Sequence, residues 1–501
     1  MSMERQPDRL RRRAHTTYGL VASRDNNNKV SPCQQEADSQ GGEAQMPRLP
    51  EDIWCYIHSL MPMRSAARAA CVSQAFLRSW RCHPNLTFSV RTLRSNKKEH
   101  IVRDFCSKVD QILKRHSCIG IKKLNIQMCE GYCNSYLDSW LQVAVKSGIE
   151  ELSLSIPPIA KYSFPCSLLS NGSGDSIRYL DFTGCSFRPT TELGCLRSLT
   201  KLHLYHVRFT GDELGCLLSN SFALEVLGIR YCNGIGSLKL PCTLQRLRYL
   251  EVLGCCKLGM IESKAPNIFN FDYEGKRIQL SLGETLQMKE LRLSFSGSVH
   301  YFSVELPSRM PNLKVATISS HREIINTPLL HSKYLHLKSL TILLFAGTFP
   351  PAYDYFSLVS IFDGCPSMES LVLDVSQYEM EHVSIFTDPS ELRKMQGQQH
   401  HKMKSVKIQG FTSAKSLVEL TCHIVESMTS LECLTLETHQ SSSRCFEPAD
   451  KSNKCSPLPI HILKEAQRGL LAIRTYIEPK VPAMVKLHVV ETCRRCHAVE
   501  L

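Results

Sequence analysis

The sequence lacks any long apolar stretch. Its longest one lies near Leu340 to Gly347 and falls far short of the roughly 20 residues that a membrane-spanning helix requires. No apolar segment of the kind found in secretory signals follows the basic N-terminal residues MSMERQPDRLRRRAHTT. We therefore expect no membrane span, no export, and a location in the nucleus and/or cytoplasm. The Arg9–Arg13 cluster fits both a nuclear-import signal and a chance basic run.

Sequence patterns of common enzyme sites are also missing. No P-loop, GxSxG, HExxH or GxGxxG element occurs where a strand and a helix could support it. We therefore predict no catalytic residue, no cofactor and no enzyme activity for the chain itself. The tail CRRCH, Cys493 to His497, offers three zinc ligands, and Cys455 or Cys445 would have to supply the fourth. No metal site is predicted.

The sequence also gives no sign of a disulfide framework. The 23 cysteines are scattered over 501 residues and are accompanied by no export signal. We expect most of them to be reduced and buried, where a thiol packs as a small hydrophobic group.

Positive charge is present in excess and is partly local. The net charge is +13, and residues 91–123 carry ten Lys and Arg residues against three acidic ones. Such a segment is either a nucleic-acid footprint or a solvated face of linker helices. Because no aromatic stacking pattern or groove-reading motif accompanies the charge, nucleic acid is not an expected partner.

Composition and hydrophobic spacing divide the chain into five segments. The polar arm is predicted to be disordered, and the basic segment after the short helices is predicted to be a helical linker. The predicted segments are the arm at 1–46, three short helices at 47–90, the linker at 91–120, a repeat region at 121–440, and a loop with a C-terminal capping unit at 441–501.

An internal repeat dominates the sequence. Thirteen copies of the pattern φxxφxφ, where φ is apolar or aromatic, follow one another in order. They start at Ile121, Ile149, Ile177, Leu199, Leu224, Leu247, Ile268, Met288, Leu313, Leu337, Met368, Met403 and Leu431. Successive starts lie 20 to 35 residues apart, mostly within the range of leucine-rich repeats.

The physics of this spacing predicts the fold class. The last two φ positions alternate within a strand and point inward, and stacked units then share one parallel sheet and one core. We predict an α/β chain in which three helices precede an irregular leucine-rich-repeat solenoid with the sheet on its concave side. Ile278 to Leu282 is a candidate extra strand, and the polar QGQQHHK stretch is a candidate surface loop. A helix at 460–477 and a strand containing Val485, Leu487 and Val489 are predicted to close the solenoid.

The segment LPEDIWCYIHSLMPMRSAARAACVSQAFLRSWRCHPNLTFS, from Leu49 to Ser89, resembles an F-box over nearly its whole length. The family pattern LPxDI, then LPxxxAARxxxVS and a final aromatic, is matched by Leu49, Pro50, Asp52, Ile53, Leu60, Pro62, Ala66, Ala67, Arg68, Val72, Ser73 and Trp80. Met61 and Met63 stand where Leu is commoner, and Phe76 or Leu77 replaces the usual central Trp. These departures preserve apolar volume.

The resemblance implies binding to the Skp-type adaptor of a cullin ubiquitin ligase. The candidate adaptor surface consists of Leu49, Pro50, Ile53, Ile57, Leu60, Met63, Ala66, Val72 and Ser73. A physical reason points the same way, because three helices of about 40 residues cannot bury their apolar side internally.

As a whole, the chain is similar to plant F-box/leucine-rich-repeat proteins, including their C-terminal helix, strand and Cys-x-x-Cys-His tail. This similarity implies a substrate-recognition subunit of a Skp-cullin-F-box ligase, whose solenoid holds an unknown target protein. The alternative is a ubiquitin-independent repeat scaffold or signalling protein, in which the helices only cap the solenoid.

The expected target surface is the solvent face of the sheet. Residues that flank the inward φ positions point to this face, and the mixture of aromatic and charged side chains suits a protein or small-ligand partner. The candidates are Tyr179, Asp181, Lys201, His203, Tyr205, Arg230, Tyr249 and Glu251, with Asp272, Glu290 and Arg292 as further members.

Overall fold

The structure is a computed structural model. It describes residues 49–93, 101–117, 120–128, 134–170, 172–190, 196–283, 287–321, 323, 333–345, 353–376, 382–388, 390–394, 399–439 and 458–492. The predicted disordered arm, most of the Ser-rich loop after residue 440 and the CRRCH tail lie outside these residues.

Helices occupy both ends and the connections between strands. Those in the described residues are α1 (Glu51–Leu60), α2 (Met63–Ala69), α3 (Gln74–Arg81), α4 (Val90–Leu93), α5 (Ile101–Arg115), α6 (Asn134–Lys146), α7 (Gly211–Ser219), α8 (Ser298–Val304), α9 (Val359–Asp363), α10 (Lys415–Ser427) and α11 (Ile460–Ala472). Short 3₁₀ turns lie at Pro158–Ala160, Cys166–Leu169, Tyr355–Leu358 and Glu478–Lys480.

Strands recur at regular intervals from residue 85 onward. Those in the described residues are β1 (Asn85–Phe88), β2 (Lys123–Gln127), β3 (Glu151–Ser155), β4 (Tyr179–Thr183), β5 (Lys201–Tyr205), β6 (Val226–Arg230), β7 (Ser237–Leu240), β8 (Tyr249–Leu253), β9 (Met260–Ser263), β10 (Asn270–Glu274), β11 (Gln279–Ser281), β12 (Glu290–Ser294), β13 (Val315–Ser320), β14 (Ser339–Leu344), β15 (Ser370–Val375), β16 (Ser405–Gln409), β17 (Cys433–Glu437) and β18 (Lys486–Val490).

One parallel sheet runs through the repeat region. It has 15 strands in the order β1-β2-β3-β4-β5-β6-β8-β10-β12-β13-β14-β15-β16-β17-β18. Each of the thirteen predicted repeats supplies one of these strands, which begins two residues after the start of its φxxφxφ pattern. The predicted α/β class, with helices followed by a parallel-sheet solenoid, is confirmed.

Burial along most strands of the main sheet follows the predicted alternation. In β4 the side chains of Leu180 and Phe182 are fully buried, while Tyr179, Asp181 and Thr183 are partly exposed. The buried positions of all repeats belong to one continuous hydrophobic cluster. Because each repeat buries its apolar side only against its neighbours, the array is stable as a stack and not as single units.

A second, smaller sheet was not predicted. It has three parallel strands in the order β11-β9-β7. The candidate extra strand at Ile278 to Leu282 exists as β11, but it pairs with β9 in this second sheet and not with the main one.

The sheet begins earlier than expected. Strand β1 lies inside the segment predicted to be wholly helical, and it pairs in parallel with β2, placing Asn85 opposite Lys123. The basic segment that follows is more than a linker, because Phe105, Val109 and Leu113 of helix α5 are buried in the core of the solenoid. The helices at 51–81 are therefore joined directly to the first repeat.

The C-terminal unit closes the other end of the array. Helix α11 continues into a π-helical turn at Ile473–Ile477, in agreement with the predicted helix at 460–477. Strand β18 then pairs in parallel with β17. Among the described residues, no helix is long and apolar enough to span a membrane.

Thirteen described cysteines carry free thiols, as expected, whereas Cys106 of α5 is disulfide-bonded. Five of these thirteen thiols are buried, so the expected burial does not hold for most of the described free cysteines: Cys185, Cys232, Cys255, Cys365 and Cys422. Burial raises the pKa of Cys185 and of Cys232 to about 12, which keeps these thiols protonated and unreactive.

Candidate functional site

The first candidate surface lies on helices α1 to α3, and local sequence fixes where each helix begins. Pro50 and Pro62 directly precede α1 and α2, where a missing backbone N–H costs no hydrogen bond. Ser73 caps α3, because its side-chain oxygen accepts a hydrogen bond from the backbone N–H of Phe76 at 3.1 Å. Ser73 was predicted to bind the adaptor, and in the free chain its hydroxyl holds the start of α3.

The inner faces of these helices pack on one another. The ring of Phe76 lies 4.8 Å from that of Trp54 and 5.2 Å from that of His58, which joins α3 to α1. Ala66 is fully buried. The prediction that Ala66 lies on the adaptor surface is wrong, since a fully buried methyl group contributes to packing within the helices and not to an exposed surface.

The outer face of α1 is apolar and uncovered in the described part of the chain. Ile53, Tyr56, Ile57 and Leu60 are all exposed, and the exposed fraction of Leu60 is 69%. These residues fall at i, i+3, i+4 and i+7, which is one face of a helix. Tyr56 was missed in the sequence, although the i+3 position between Ile53 and Ile57 would have identified it.

Three further predicted members also reach solvent. Leu49 and Pro50 are exposed, and Val72, between α2 and α3, is 78% exposed. A helix that is apolar on its inner and outer sides, with the inner side already packed, is typical of a partner-binding surface.

Met63 differs from the other predicted adaptor residues because it is turned toward the solenoid. Its side chain is half-buried against the solenoid core, and its Sδ accepts the backbone N–H of Thr87 in β1 at 3.1 Å. Met63 therefore joins α2 to the first strand of the sheet.

Two buried histidines complete this junction. The Nδ1 of His83 accepts the backbone N–H of Asn85 at 3.2 Å, so its Nε2 carries the proton and donates to the carbonyl of Met61 at 3.2 Å. The Nε2 of His116, just after α5, donates to the carbonyl of His83 at 3.0 Å. Burial lowers the pKa of both imidazoles, so both are neutral at physiological pH.

Ion pairs occupy much of the basic segment. Lys108 and Lys114 pair with acidic residues one turn earlier in α5, at 2.8 and 2.7 Å. Lys122 and Lys123 pair with Glu150 and Glu151 of the next repeat. Neutralised cations of this kind favour the solvated-face interpretation over a nucleic-acid footprint.

The second candidate surface is the solvent face of the main sheet. Parallel register brings the predicted residues into rows across neighbouring strands. The central row consists of Asp181, His203, Gly228, Glu251 and Asp272, on β4, β5, β6, β8 and β10. The solenoid thus places side chains together that lie up to 91 positions apart in the sequence.

Arg230 and Glu251 form a two-fold ion pair on this face. The guanidinium donates from Nε to Oε2 of Glu251 at 2.9 Å and from Nη2 to Oε1 at 2.8 Å. This two-fold hydrogen bond raises the pKa of Arg230. Glu251 is only 4% exposed, so the prediction that it points freely to a partner is corrected, because Arg230 covers it.

Tyrosine hydroxyls hold two carboxylates on the same face. Tyr179 donates to Oδ2 of Asp181 at 3.2 Å, and Tyr249 donates to Oδ2 of Asp272 at 2.9 Å. Burial, reinforced by the charge of Asp181, raises the pKa of Tyr179 to about 12. Two further predicted residues, Lys201 and Glu290, lie at strand starts and are exposed, and Glu290 accepts a hydrogen bond from the side chain of Asn270 at 2.6 Å.

Two members of an aromatic group at the ends of β5 and β6, His206 and Tyr231, were missed in the sequence, whereas Tyr205 was predicted. Tyr205, His206 and Tyr231 contact one another, with ring centroids 4.6 to 5.5 Å apart. His206 and Tyr231 directly follow their strands and have φ angles of 51° and 53°, where the corresponding position after β4 and β8 is glycine. Aligning the repeats at this position would have revealed them.

The described residues also bear on catalysis and metal binding. Ser413 Oγ and Glu465 Oε1 both contact Nε2 of His382, at 3.5 and 3.0 Å. Because a serine-histidine-acid relay needs the two partners on different ring nitrogens, this arrangement is not such a relay. In the parts of the chain described by the structure, no group of three or more His, Cys, Asp or Glu side chains is placed to hold a metal ion.

Comparison with protein families gives two matches that follow the same division of the chain. The family described as the At1g61320/AtMIF1 LRR domain matches residues 112–494. The F-box domain family matches residues 46–87.

Curated relatives come from Arabidopsis thaliana. The F-box/LRR-repeat protein At3g03360 is 29% identical over 233 residues, which cover 44% of this chain and 45% of the relative. The F-box/FBD/LRR-repeat protein At3g26920 is 22% identical over 44% of this chain and 50% of the relative. For these two, the chain spans about half the length of the relatives it matches. The putative FBD-associated F-box protein At1g61330 is 20% identical over 78% of this chain and 90% of its own length.

Proposed function

The chain belongs to the At1g61320/AtMIF1 leucine-rich-repeat family and carries an F-box domain ahead of the repeats, and on that premise we propose that it is the substrate-recognition subunit of a Skp-cullin-F-box ubiquitin ligase. Membership of the F-box/LRR proteins implies an adaptor-type role in ubiquitin ligation. In the proposal, helices α1 to α3 bind a Skp-type adaptor, and the solvent face of the main sheet binds a target protein.

The exposed apolar face of α1 carries this proposal. Ile53, Tyr56, Ile57 and Leu60 would lose their contact with water in a complex, and burying such side chains contributes about 25 cal/mol per Å² of apolar area. The opposite face of the same helix is already packed against Phe76. Adaptor binding would therefore use a surface that folding of the chain itself leaves open.

Proximity supplies the chemical effect in this proposal. The chain contributes no reacting group and holds a target close to a ubiquitin-conjugating enzyme that the cullin brings separately, so an intermolecular transfer becomes effectively intramolecular. The direct junction between α2 and β1 supports such a role, because Met63, His83 and His116 tie the F-box to the first repeat. The proposed location remains the nucleus and/or cytoplasm.

Adaptor binding can be tested with purified Skp-type adaptor and the full chain. Ile53→Asp and Leu60→Asp each place a carboxylate in the proposed interface, at side chains that are exposed in the free chain. Burying an unpaired charge costs about 3 kcal/mol or more, so we expect each variant to bind at least about 100-fold more weakly in an equilibrium binding assay.

Ile159→Asp is the matched control, because Ile159 is equally apolar, 72% exposed, and lies on the solenoid at Pro158–Ala160. It should bind the adaptor like the wild type. Failure of the wild type to bind, or equal binding by all variants, would overturn the proposal and favour a ubiquitin-independent repeat scaffold.

A further inference from the structure

A small cavity opens on the solvent face where β4, β5 and β6 meet. It has a volume of about 330 Å³, enough for one long side chain, and its lining includes Tyr179, Asp181, His203, Tyr205, Gly228 and Arg230. Gly228 leaves room here, since a Cβ at this position would lie 2.7 Å from Nδ1 of His203 and 3.3 Å from Oε2 of Glu251. The side chains of the neighbouring strands fill the space over the glycine and form one end of the cavity.

The charged side chains around the cavity differ in whether an ion pair neutralises them. Arg230 directs its Nε and Nη2 donors to Glu251, so this pair is neutral as a unit. Asp181 has only a hydroxyl donor, Tyr179, and no cation lies within ion-pairing distance of it among the described side chains. Since burial lowers the pKa of His203, its imidazole is neutral near pH 7 and does not neutralise Asp181 either.

Aromatic rings flank this carboxylate. The ring of Tyr179 lies 5.8 Å from that of His203, and Tyr205 is 38% exposed beside them and contacts His206 and Tyr231. Aromatic faces attract cations, and the attraction grows when water is partly excluded. A carboxylate and tyrosine rings around one cavity are suited to a positively charged side chain.

The solvent face around the cavity carries an excess of negative charge. Although the chain carries a net charge of +13, acidic side chains outnumber basic ones on the solvent face between β4 and β12. The acidic ones are Asp181, Glu251, Asp272, Glu274 and Glu290, and the basic ones are Lys201, Arg230 and Arg292. This local excess of negative charge attracts a basic partner surface.

We propose that the cavity between β4 and β6 receives an arginine or lysine side chain of the target, with Asp181 as its counter-ion and Tyr179 and Tyr205 as its aromatic walls. The proposal rests on the proposed function, because it names the kind of target that the solvent face binds. An anionic group is disfavoured, because the charge of Arg230 is already balanced by Glu251.

Nα-acetyl-arginine amide is a suitable probe, and Nα-acetyl-citrulline amide is its neutral isostere. Binding of each to the full chain is measured by ligand-observed saturation-transfer NMR titration. We expect the arginine probe to bind roughly tenfold more tightly than the citrulline probe, since one ion pair and one cation–π contact distinguish them.

Asp181→Asn removes the charge and keeps an oxygen that can accept the Tyr179 hydroxyl. It should weaken binding of the arginine probe roughly tenfold, and Tyr205→Ala should weaken it as well. The matched control is Asp175→Asn, at an exposed carboxylate outside the strands, which should bind like the wild type.

Equal binding of the two probes, or unchanged binding in Asp181→Asn, would overturn the proposal. The Asp181→Asn variant should retain full affinity for the Skp-type adaptor, which also shows that it is folded. Loss of this pocket would therefore leave adaptor binding intact, whereas failure of the wild type to bind the adaptor would refute the proposed function alone.

Discussion

Single residues at the ends of the strands show how the repeat tolerates local variation. The residue that directly follows β4, β5, β6, β8 and β16 has a positive φ angle and is, in order, Gly184, His206, Tyr231, Gly254 and Gly410. Glycine adopts this conformation freely, and other residues adopt it at a cost of about 1 kcal/mol or more. At two of these positions, mutual contact of aromatic rings offsets that cost.

Gly184→Ala should destabilise the chain more than most single substitutions do. Its φ angle is 75°, and a Cβ would lie 1.9 Å from the carbonyl oxygen of Ile156, a backbone atom directly after β3. We expect a loss of about 3 kcal/mol in the free energy of unfolding, measured by urea titration.

Gly215→Ala provides the matched comparison. Gly215 lies in helix α7, and a Cβ there would meet no atom within 4 Å. Because alanine favours the helix, this variant should gain about 0.5 to 1 kcal/mol. Similar stabilities of the two variants would show that the close approach at Gly184 is not a constraint on the fold.

At the scale of elements, the C-terminal unit shows how an open end of the array is covered. Ile473, in the π-helical turn after α11, is fully buried in the solenoid core, whereas Leu471, two residues earlier, is 54% exposed. Ile473→Ala should lower the free energy of unfolding by about 3 kcal/mol, through the lost apolar contact and the cavity that remains.

Leu471→Ala is the control in the same element and should change stability by less than about 0.5 kcal/mol. Guanidinium denaturation followed by circular dichroism measures both. If the two substitutions cost the same, the C-terminal unit does not pack on the repeats as described.

Elements were predictable wherever a residue pattern is local. The φxxφxφ pattern fixed all thirteen repeat strands, because alternate burial in a five-residue strand leaves a trace in the sequence that tertiary contacts do not erase. The helices at 51–81 were predictable from proline placement and apolar spacing for the same reason.

Contacts between distant segments were not predictable. Strands β7 and β9 are short, and the second sheet becomes recognisable only once neighbouring repeats are stacked. The burial of Glu251 depends on its pairing with Arg230, and that of Ala66 on the packing of α2 against neighbouring elements, which no spacing rule specifies. The sequence therefore predicts which residues lie on the candidate surfaces, but it does not predict how exposed each of these residues is.

At the scale of the whole molecule, stability should depend on pH through the junction between the F-box and the solenoid. The pKa values of His83 and His116 in the folded chain lie below the ordinary value near 6.5. As the pH falls, these two residues therefore bind protons in the unfolded chain before they do so in the folded chain. Stability is therefore full above pH 6.5 and is lost as the pH falls, by up to about 1.4 kcal/mol per pH unit for each histidine.

The His83→Gln/His116→Gln double variant isolates this effect, because a glutamine side chain does not titrate. At position 83 it can still donate a hydrogen bond to the backbone carbonyl of Met61, and at position 116 to the backbone carbonyl of residue 83. Between pH 7.5 and 5.5, urea unfolding should show a smaller loss of stability in the variant than in the wild type. Identical losses would mean that other groups govern the acid sensitivity, for example the buried His400 and His423.

The continuity of the main sheet from β1 onward has a consequence for how a target would be presented. Strand β1 lies at the C-terminal end of the F-box segment, and β5, at the centre of the proposed pocket, is the fourth neighbour after it. Parallel strands lie about 4.8 Å apart, so the pocket is roughly 19 Å along the sheet from the adaptor end. Gaining or losing one repeat between β1 and β5 would move a bound target by one strand spacing. Evolution can therefore change the distance between the adaptor site and the target only by multiples of this spacing.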